Sequence, residues 1–228
     1  MTLSLTLIAA LTGGCRPTPT PPTPTDVNEP PVTPDLSGIT LPSGQLLFQD
    51  DFSHESSGWE TFAEAEASAE YADGEYRLRL NRAPLRAWGL LRGTTLPADF
   101  ILSVTVYPGA GAASGGYGVI GRFADAEHYY FFLITGAGEY LIGKRSNGTQ
   151  IGLSSPTFQP SEAILPGEAP NRITAICAGQ RLSLSINTLP VAEVTDAEFS
   201  SGSVGLVAIV TTGTGLEARF DDVAIYTP

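Results

Sequence analysis

The chain has 228 residues, 42% of them hydrophobic, and its 24 acidic against 12 basic side chains give a formal charge of −12. That balance argues against nucleic acid as a partner, because phosphate binding needs a basic face, and it disfavours adsorption to anionic lipid headgroups. Two cysteines and two histidines are too few for a zinc cluster or a disulfide framework.

Leu3 to Leu11 is a short run of Leu, Ile, Ala and Thr, and Thr12-Gly13-Gly14 places small residues directly ahead of Cys15. The run is too short to cross a bilayer as a helix, which takes about 20 residues. An apolar core followed by a small-residue cleavage site is the pattern of a signal segment. Residues 1–15 resemble a bacterial lipoprotein signal, in which the final cysteine becomes the acylated N-terminus. Two features depart from that pattern: no Lys or Arg precedes the apolar run, and Leu11 stands one place earlier than in the usual Leu-Ala-Gly-Cys. The resemblance implies lipidation of Cys15 and an extracytoplasmic protein, held to a bacterial membrane or cell surface by lipid only.

Residues 16–44 form a Pro/Thr-rich linker that opens Arg16-Pro-Thr-Pro-Thr-Pro-Pro. Proline fixes φ and has no amide donor, so this tract makes neither a helix nor a central strand. As extended polyproline II, Arg16 to Pro42 would reach on the order of 80 Å. Such a stalk holds a domain away from a surface.

Residues 45–228 are one domain's worth of chain. Apolar and polar residues alternate in short runs between turn residues, the signature of an all-β domain. Strands are expected at Leu46–Asp51, Ala67–Tyr71, Glu75–Leu80, Trp88–Arg92, Phe100–Tyr107, Tyr117–Phe123 and Tyr129–Ile134. Others are expected at Tyr140–Arg145, Gln150–Leu153, Arg172–Cys177, Leu182–Ile186, Val191–Val194, Ser203–Val210 and Leu216–Tyr226. Asp73-Gly74 and Asn147-Gly148 suit two-residue type I′ hairpins, in which both central residues take positive φ. Ala63–Glu70 alternates Ala with Glu, a composition that favours helix, but the hairpin at Asp73-Gly74 requires its end to be a strand. Cys177 lies in an apolar run and is expected to be a small buried hydrophobe. Strands in this number make two packed sheets, so a β-sandwich is expected.

Local signatures recur in a definite order. Asp50-Asp-Phe-Ser and Ser57-Gly-Trp lead, followed by Tyr71-Ala-Asp-Gly-Glu-Tyr-Arg, Gly118-Val-Ile-Gly-Arg and His128-Tyr-Tyr-Phe-Phe. Gly138-Glu-Tyr with Lys144, Asn171-Arg-Ile, Gly179-Gln-Arg-Leu, Ser185-Ile-Asn, Gly202-Ser-Val-Gly-Leu and Phe220-Asp-Asp-Val-Ala-Ile-Tyr complete the series. In this order they resemble the concanavalin A-like lectin/glucanase superfamily, and within it the laminin-G-like and 3-keto-disaccharide hydrolase-like (family 16 glycoside hydrolase-like) domains of bacterial surface proteins. The resemblance implies a jelly-roll sandwich of two antiparallel sheets, one of them concave and able to carry sugars. One departure is Asn187-Thr188, where the superfamily commonly has Asn-Gly; Thr makes positive φ costly, so a longer or different turn is expected there.

The same fold hosts lectins, glucanases and adhesive modules, so function has to be argued from a site. A laminarinase-type glucanase carries a Glu-x-Asp-x-x-Glu strand that presents two carboxylates to one face. The nearest match, Glu64-Ala-Glu66-Ala-Ser-Ala-Glu70, lacks the Asp and is one residue too long. Neither His54 nor His128 has a Gly-x-Ser-x-Gly elbow to serve. Sugar recognition needs aromatic faces and a few fixed polar groups. Alternation along His128–Ile134 sends Tyr130, Phe132 and Ile134 into the core, leaving Tyr129 for the concave sheet with Arg122 beside it on the neighbouring strand. Trp88 with Arg86 is a second candidate pair at a sheet edge. Asp50, Asp51 and Asp222 are expected to meet where the first and last strands run together; they are candidate oxygen ligands for a structural calcium ion or acceptors for turn amides and arginines. A non-catalytic glycan-binding or adhesive module fits best. The alternatives are an enzyme of the 3-keto-disaccharide hydrolase type acting on a glycoside and a structural protein of the cell envelope.

Overall fold

The computed structural model describes residues 44–228, so the signal segment with Cys15 and nearly all of the linker lie outside the described residues. Sixteen strands follow in chain order: β1 (Leu46–Asp50), β2 (Phe62–Ala63), β3 (Ala67–Ala72), β4 (Glu75–Leu80), β5 (Leu85–Leu90), β6 (Phe100–Pro108), β7 (Gly115–Asp125) and β8 (His128–Ile134). The second half holds β9 (Glu139–Ser146), β10 (Thr149–Gly152), β11 (Gln159–Pro160), β12 (Asn171–Ala178), β13 (Arg181–Ile186), β14 (Leu189–Thr195), β15 (Ser203–Val210) and β16 (Leu216–Tyr226). Every expected strand is present. Strand β5 starts at Leu85 rather than Trp88, and the two-residue strands β2 and β11 are additions.

The strands form two antiparallel sheets. Nine strands run β14-β13-β12-β6-β16-β4-β3-β2 with β1 also paired to β16, and seven run β10-β9-β8-β7-β15-β5 with β11 on β9. Non-consecutive neighbours such as β6 with β16 and β7 with β15 give the long crossings of a jelly roll. Alternation along each strand decides what is buried between the sheets. Leu102, Val104 and Val106 of β6 and Ile173, Ala175 and Cys177 of β12 join Val119, Phe132, Ile134 and Leu206 in one core. Burial pushes the Cys177 thiol up to about 12, so it packs as a hydrophobe.

Local propensity yields to packing at Ala63–Glu70. The chain reverses after β2, and Ala67 and Ala69 of β3 are buried while Ser68 and Glu70 point outward. A helix could not place the two alanines on one core face at that spacing.

The Asn187-Thr188 hairpin corrects the sequence expectation. It is a tight two-residue turn, with Ile186 paired to Leu189 and both central residues at positive φ, 51° and 71°. Tertiary contacts hold it. The Asn187 side chain accepts from the Arg172 amide at 2.8 Å and donates to Ala163 O at 2.9 Å and Asn171 Oδ1 at 2.8 Å. Three side-chain hydrogen bonds of about 1 kcal/mol each outweigh the left-handed strain.

Candidate functional site

Residues of β7, β8, β9 and β15 that face away from the core build a second apolar layer on the seven-stranded sheet. Ile120, Tyr129, Phe131, Leu133, Leu141, Val207 and Ile209 are buried there, with Trp88, Phe123 and Phe158 half-covering them. Glycine makes this layer dense: a Cβ at Gly143 would strike the Phe131 ring. Phe123 stacks on Tyr129 at 5.5 Å between centroids, and Trp88 lies 5.7 Å from Phe123 and 6.0 Å from Tyr129. Register places Trp88 opposite Val207 and Arg86 opposite Ile209, so Trp88 and Arg86 share this face. Trp88 and Arg86 are half-exposed and available to a ligand.

Tyr129 occupies the expected face, yet it is fully buried beneath Trp88 and Phe123, and its hydroxyl has no hydrogen-bond partner. It supports the surface aromatics and offers no platform of its own.

Arg122 does not join them. At φ 50° it forms a bulge in β7: Ile120 and Phe123 face outward, three residues apart, where regular pleating would allow two. The extra residue turns Arg122 away from the aromatic face and buries it to 1% exposure. Its Nε donates to Ala98 O at 3.1 Å, and its Nη1 donates to Gly179 O at 2.8 Å and Phe199 O at 3.0 Å. Nη2 pairs with Asp99 at 3.0 Å, and not with Asp125, which instead holds His128. Arg122 is a clasp for three connections. The same end of the sandwich is tied by Lys144, which pairs with Asp196 at 2.5 Å and Glu198 at 2.7 Å, while the Tyr130 hydroxyl donates to Asp196 at 2.6 Å.

Two depressions flank the aromatic layer. At the β5 edge a cleft of about 300 Å³ runs between Arg86 and Trp88 on one side and Phe62, Glu64 and Glu66 on the other. Two of its carboxylates are engaged, Glu60 by Arg92 at 2.6 Å and Glu66 by Arg82 at 2.7 Å. Across β15, where Ile209 stands opposite Arg86, a pocket of about 240 Å³ is lined by Gly115, Gly116, Leu133, Ile209 and Phe158. Thr135, Glu139, Gln150, Thr211 and Thr212 form its polar rim. Sequence reasoning missed this pocket. Phe158 sits between prolines in a stretch with no strand periodicity, and Glu139 gains its neighbours only through β9 pairing; no local signal marks either.

The first and last strands do run side by side, with Asp50 opposite Val223. Asp50, however, is spent on its own loop: it accepts from the Phe52 amide at 2.9 Å, the Ser57 hydroxyl and Trp59 Nε1 at 2.9 Å. The Asp-x-Phe and Ser-Gly-Trp signatures are therefore one hydrogen-bonded lock. Asp51 accepts from Ser53, and Asp222, at φ 51°, sits in a bulge of β16. Among the described residues no group of three or more His, Cys, Asp or Glu side chains is gathered to hold a metal ion.

The neighbouring Asp221 has a different consequence. Burial, together with the charges of Asp222, Glu75 and Asp51, pushes its carboxyl up from 3.8 to about 6. Between those values the folded state keeps a proton that the unfolded chain releases, so stability falls as pH rises through that window. Asp221→Asn removes the charge and keeps an acceptor for the Asp222 amide, now 2.7 Å away. Discounted for solvent screening, the expected gain at pH 7 is about 1 kcal/mol, or about 2–4 °C in Tm. Thermal melts should show the gain fading by pH 4; a variant less stable than wild type at pH 7 would refute the argument.

The architecture is that of the concanavalin A-like jelly rolls, and solved structures share it. A carbohydrate binding module, CBM66 from Bacillus subtilis, matches with TM-score 0.50 and 17% identity, over 75% of this chain and 96% of that one. A β-glucanase from Bacillus licheniformis matches with TM-score 0.57 and 11% identity, over 82% and 100%. A Bacillus subtilis protein of unknown function with a galectin-like fold matches with TM-score 0.58 and 14% identity, over 81% and 96%. Identities this low establish the fold alone. Neither a protein-family model nor a curated protein sequence matches the chain.

Proposed function

We propose that the domain is a non-catalytic carbohydrate-binding module, carried on the Pro/Thr stalk and held outside the cytoplasm by lipid on Cys15. The observation that carries it is the outer face of the seven-stranded sheet, where half-exposed Trp88 and Phe123 cap a sealed apolar layer beside the Arg86 guanidinium. Aromatic rings with a few fixed polar groups match the alternating C–H and hydroxyl faces of a sugar. The fold shared with a carbohydrate binding module and a glucanase makes a carbohydrate-related role plausible. Binding is favoured over hydrolysis because two of the three carboxylates lining the cleft beside Trp88, Glu60 and Glu66, are held by arginines, which leaves Glu64 without a second free carboxylate as partner. Retaining hydrolysis requires two carboxyls about 5–5.5 Å apart across a sugar.

A glycan array probed with the purified protein tests the proposal. Trp88→Ala should weaken binding of whichever glycan is retained by about 10- to 100-fold, the usual range for a stacking anchor. Unchanged binding in Trp88→Ala would move the site elsewhere, and steady turnover of a glycoside by the wild type would replace binding with catalysis.

A further inference from the structure

The pocket at the Phe158 end of the same face differs in chemistry from the Trp88 end. Gly116 in its lining lets the Phe158 ring pack close to the sheet: a Cβ there would lie 2.8 Å from that ring and 3.1 Å from Leu133. At about 240 Å³ it is smaller than the roughly 300–1,000 Å³ of drug-sized sites, a fit for one ring rather than a chain. Phe158 supplies an aromatic wall, and hydroxyl and amide groups ring the mouth. Among its lining residues Glu139 is the only charged one. The Thr135 hydroxyl, buried to 3% exposure, donates to Glu139 at 3.4 Å and accepts from the Glu139 amide at 3.3 Å, which fixes the carboxylate at the rim.

We propose that this pocket is a subsite for a single uncharged or amino-bearing sugar residue and that Glu139 excludes an anionic sugar from it, so the residue seated there is neutral or cationic. The inference rests on the glycan-binding proposal and adds its substrate class. A uronate or sulfate placed in the pocket would bring a second negative charge within about 5 Å of Glu139, a repulsion that costs about ten-fold or more in affinity at low salt. An ammonium group would instead gain a partner. The neutral hydroxyls leave the ring's own hydroxyls satisfied, and Phe158 takes its C–H face.

The test uses the purified protein on an array carrying matched neutral, amino, uronic and sulfated forms of the same backbones. Neutral or amino forms should bind, and their anionic counterparts should bind at least ten-fold more weakly, with the difference shrinking as salt rises. Glu139→Gln should bring the anionic forms to within about three-fold of the neutral ones measured on the same variant. Phe158→Ala should lower all binding by about ten-fold or more, with the melting temperature checked to exclude unfolding. Equal binding of anionic and neutral forms by the wild type overturns the inference and leaves glycan binding intact, as does a Glu139→Gln variant that still rejects anions. No binding to any form overturns both.

Discussion

Arg122→Ala is expected to lower the melting temperature by about 6–12 °C, the equivalent of about 3 kcal/mol in a domain of this size. One guanidinium, 1% exposed, satisfies three carbonyls drawn from distant parts of the chain: Ala98 before β6, Gly179 between β12 and β13, and Phe199 ahead of β15. Truncation removes charge-assisted donors worth about 1.5–3 kcal/mol each when their acceptors are left dry, and it opens a cavity in the packed end of the sandwich. Arg122→Lys should recover less than half the loss, because a single ammonium cannot reach the fork of acceptors that a planar guanidinium spans. Asp99→Asn provides the contrast. Its side chain is 47% exposed, so loss of the ion pair should cost under about 1 kcal/mol. Urea titrations of the three variants decide the matter. If Arg122→Ala melts within a degree or two of wild type yet loses glycan binding, Arg122 faces a ligand and its role as a clasp is wrong.

Cys15→Ser should transfer the protein almost completely from the detergent phase to the aqueous phase, and from the membrane to the medium or periplasm. Among the described residues no helix is long and apolar enough to cross a membrane, and the apolar run 3–11 falls short of the about 20 residues a span requires. Each buried methylene contributes about 0.8 kcal/mol, and a single myristoyl chain reaches only about 10⁴ M⁻¹, which is marginal. Stable anchoring thus calls for several chains on one cysteine or a polybasic patch, and Arg16 is the one basic residue in the tail. A nearly complete response is expected because lipid on Cys15 is the proposed anchor. Labelled palmitate in the wild type and none in the variant would accompany it. Membrane retention of Cys15→Ser, with no label in the wild type, would show that residues 3–11 act as an uncleaved anchor.

The fold class was legible because it depends on patterns a strand carries within itself. Period-2 alternation in His128–Ile134 correctly named the inward residues Tyr130, Phe132 and Ile134, and Asp73-Gly74 and Asn147-Gly148 fixed two hairpins through their tolerance of positive φ. Trp88 and Arg86 were expected at a sheet edge, and it is the strand beginning at Leu85 that puts both on one face. The ordered signatures pointed to the right fold because they are structural: Asp50 locking Trp59 holds a loop of the sandwich and carries no information about a ligand.

What the chain could not reveal locally depended on residues brought together from far apart. Perfect alternation placed Arg122 on the ligand face, but the bulge that turns it inward exists because three loop carbonyls converge there from positions 98, 179 and 199. Thr188 adopts a left-handed turn against its own preference because Asn187 is held by Ala163, Asn171 and Arg172. Tyr129 lies on the predicted face but is sealed under Trp88 and Phe123, since burial is a property of neighbours across strands and not of spacing along one. The Phe158 pocket is assembled from β7, β8, β9, β10 and β15 around a loop without periodicity. Backbone pattern, being local, is written in order along the sequence. Convergence of distant side chains is written nowhere until the sheets close.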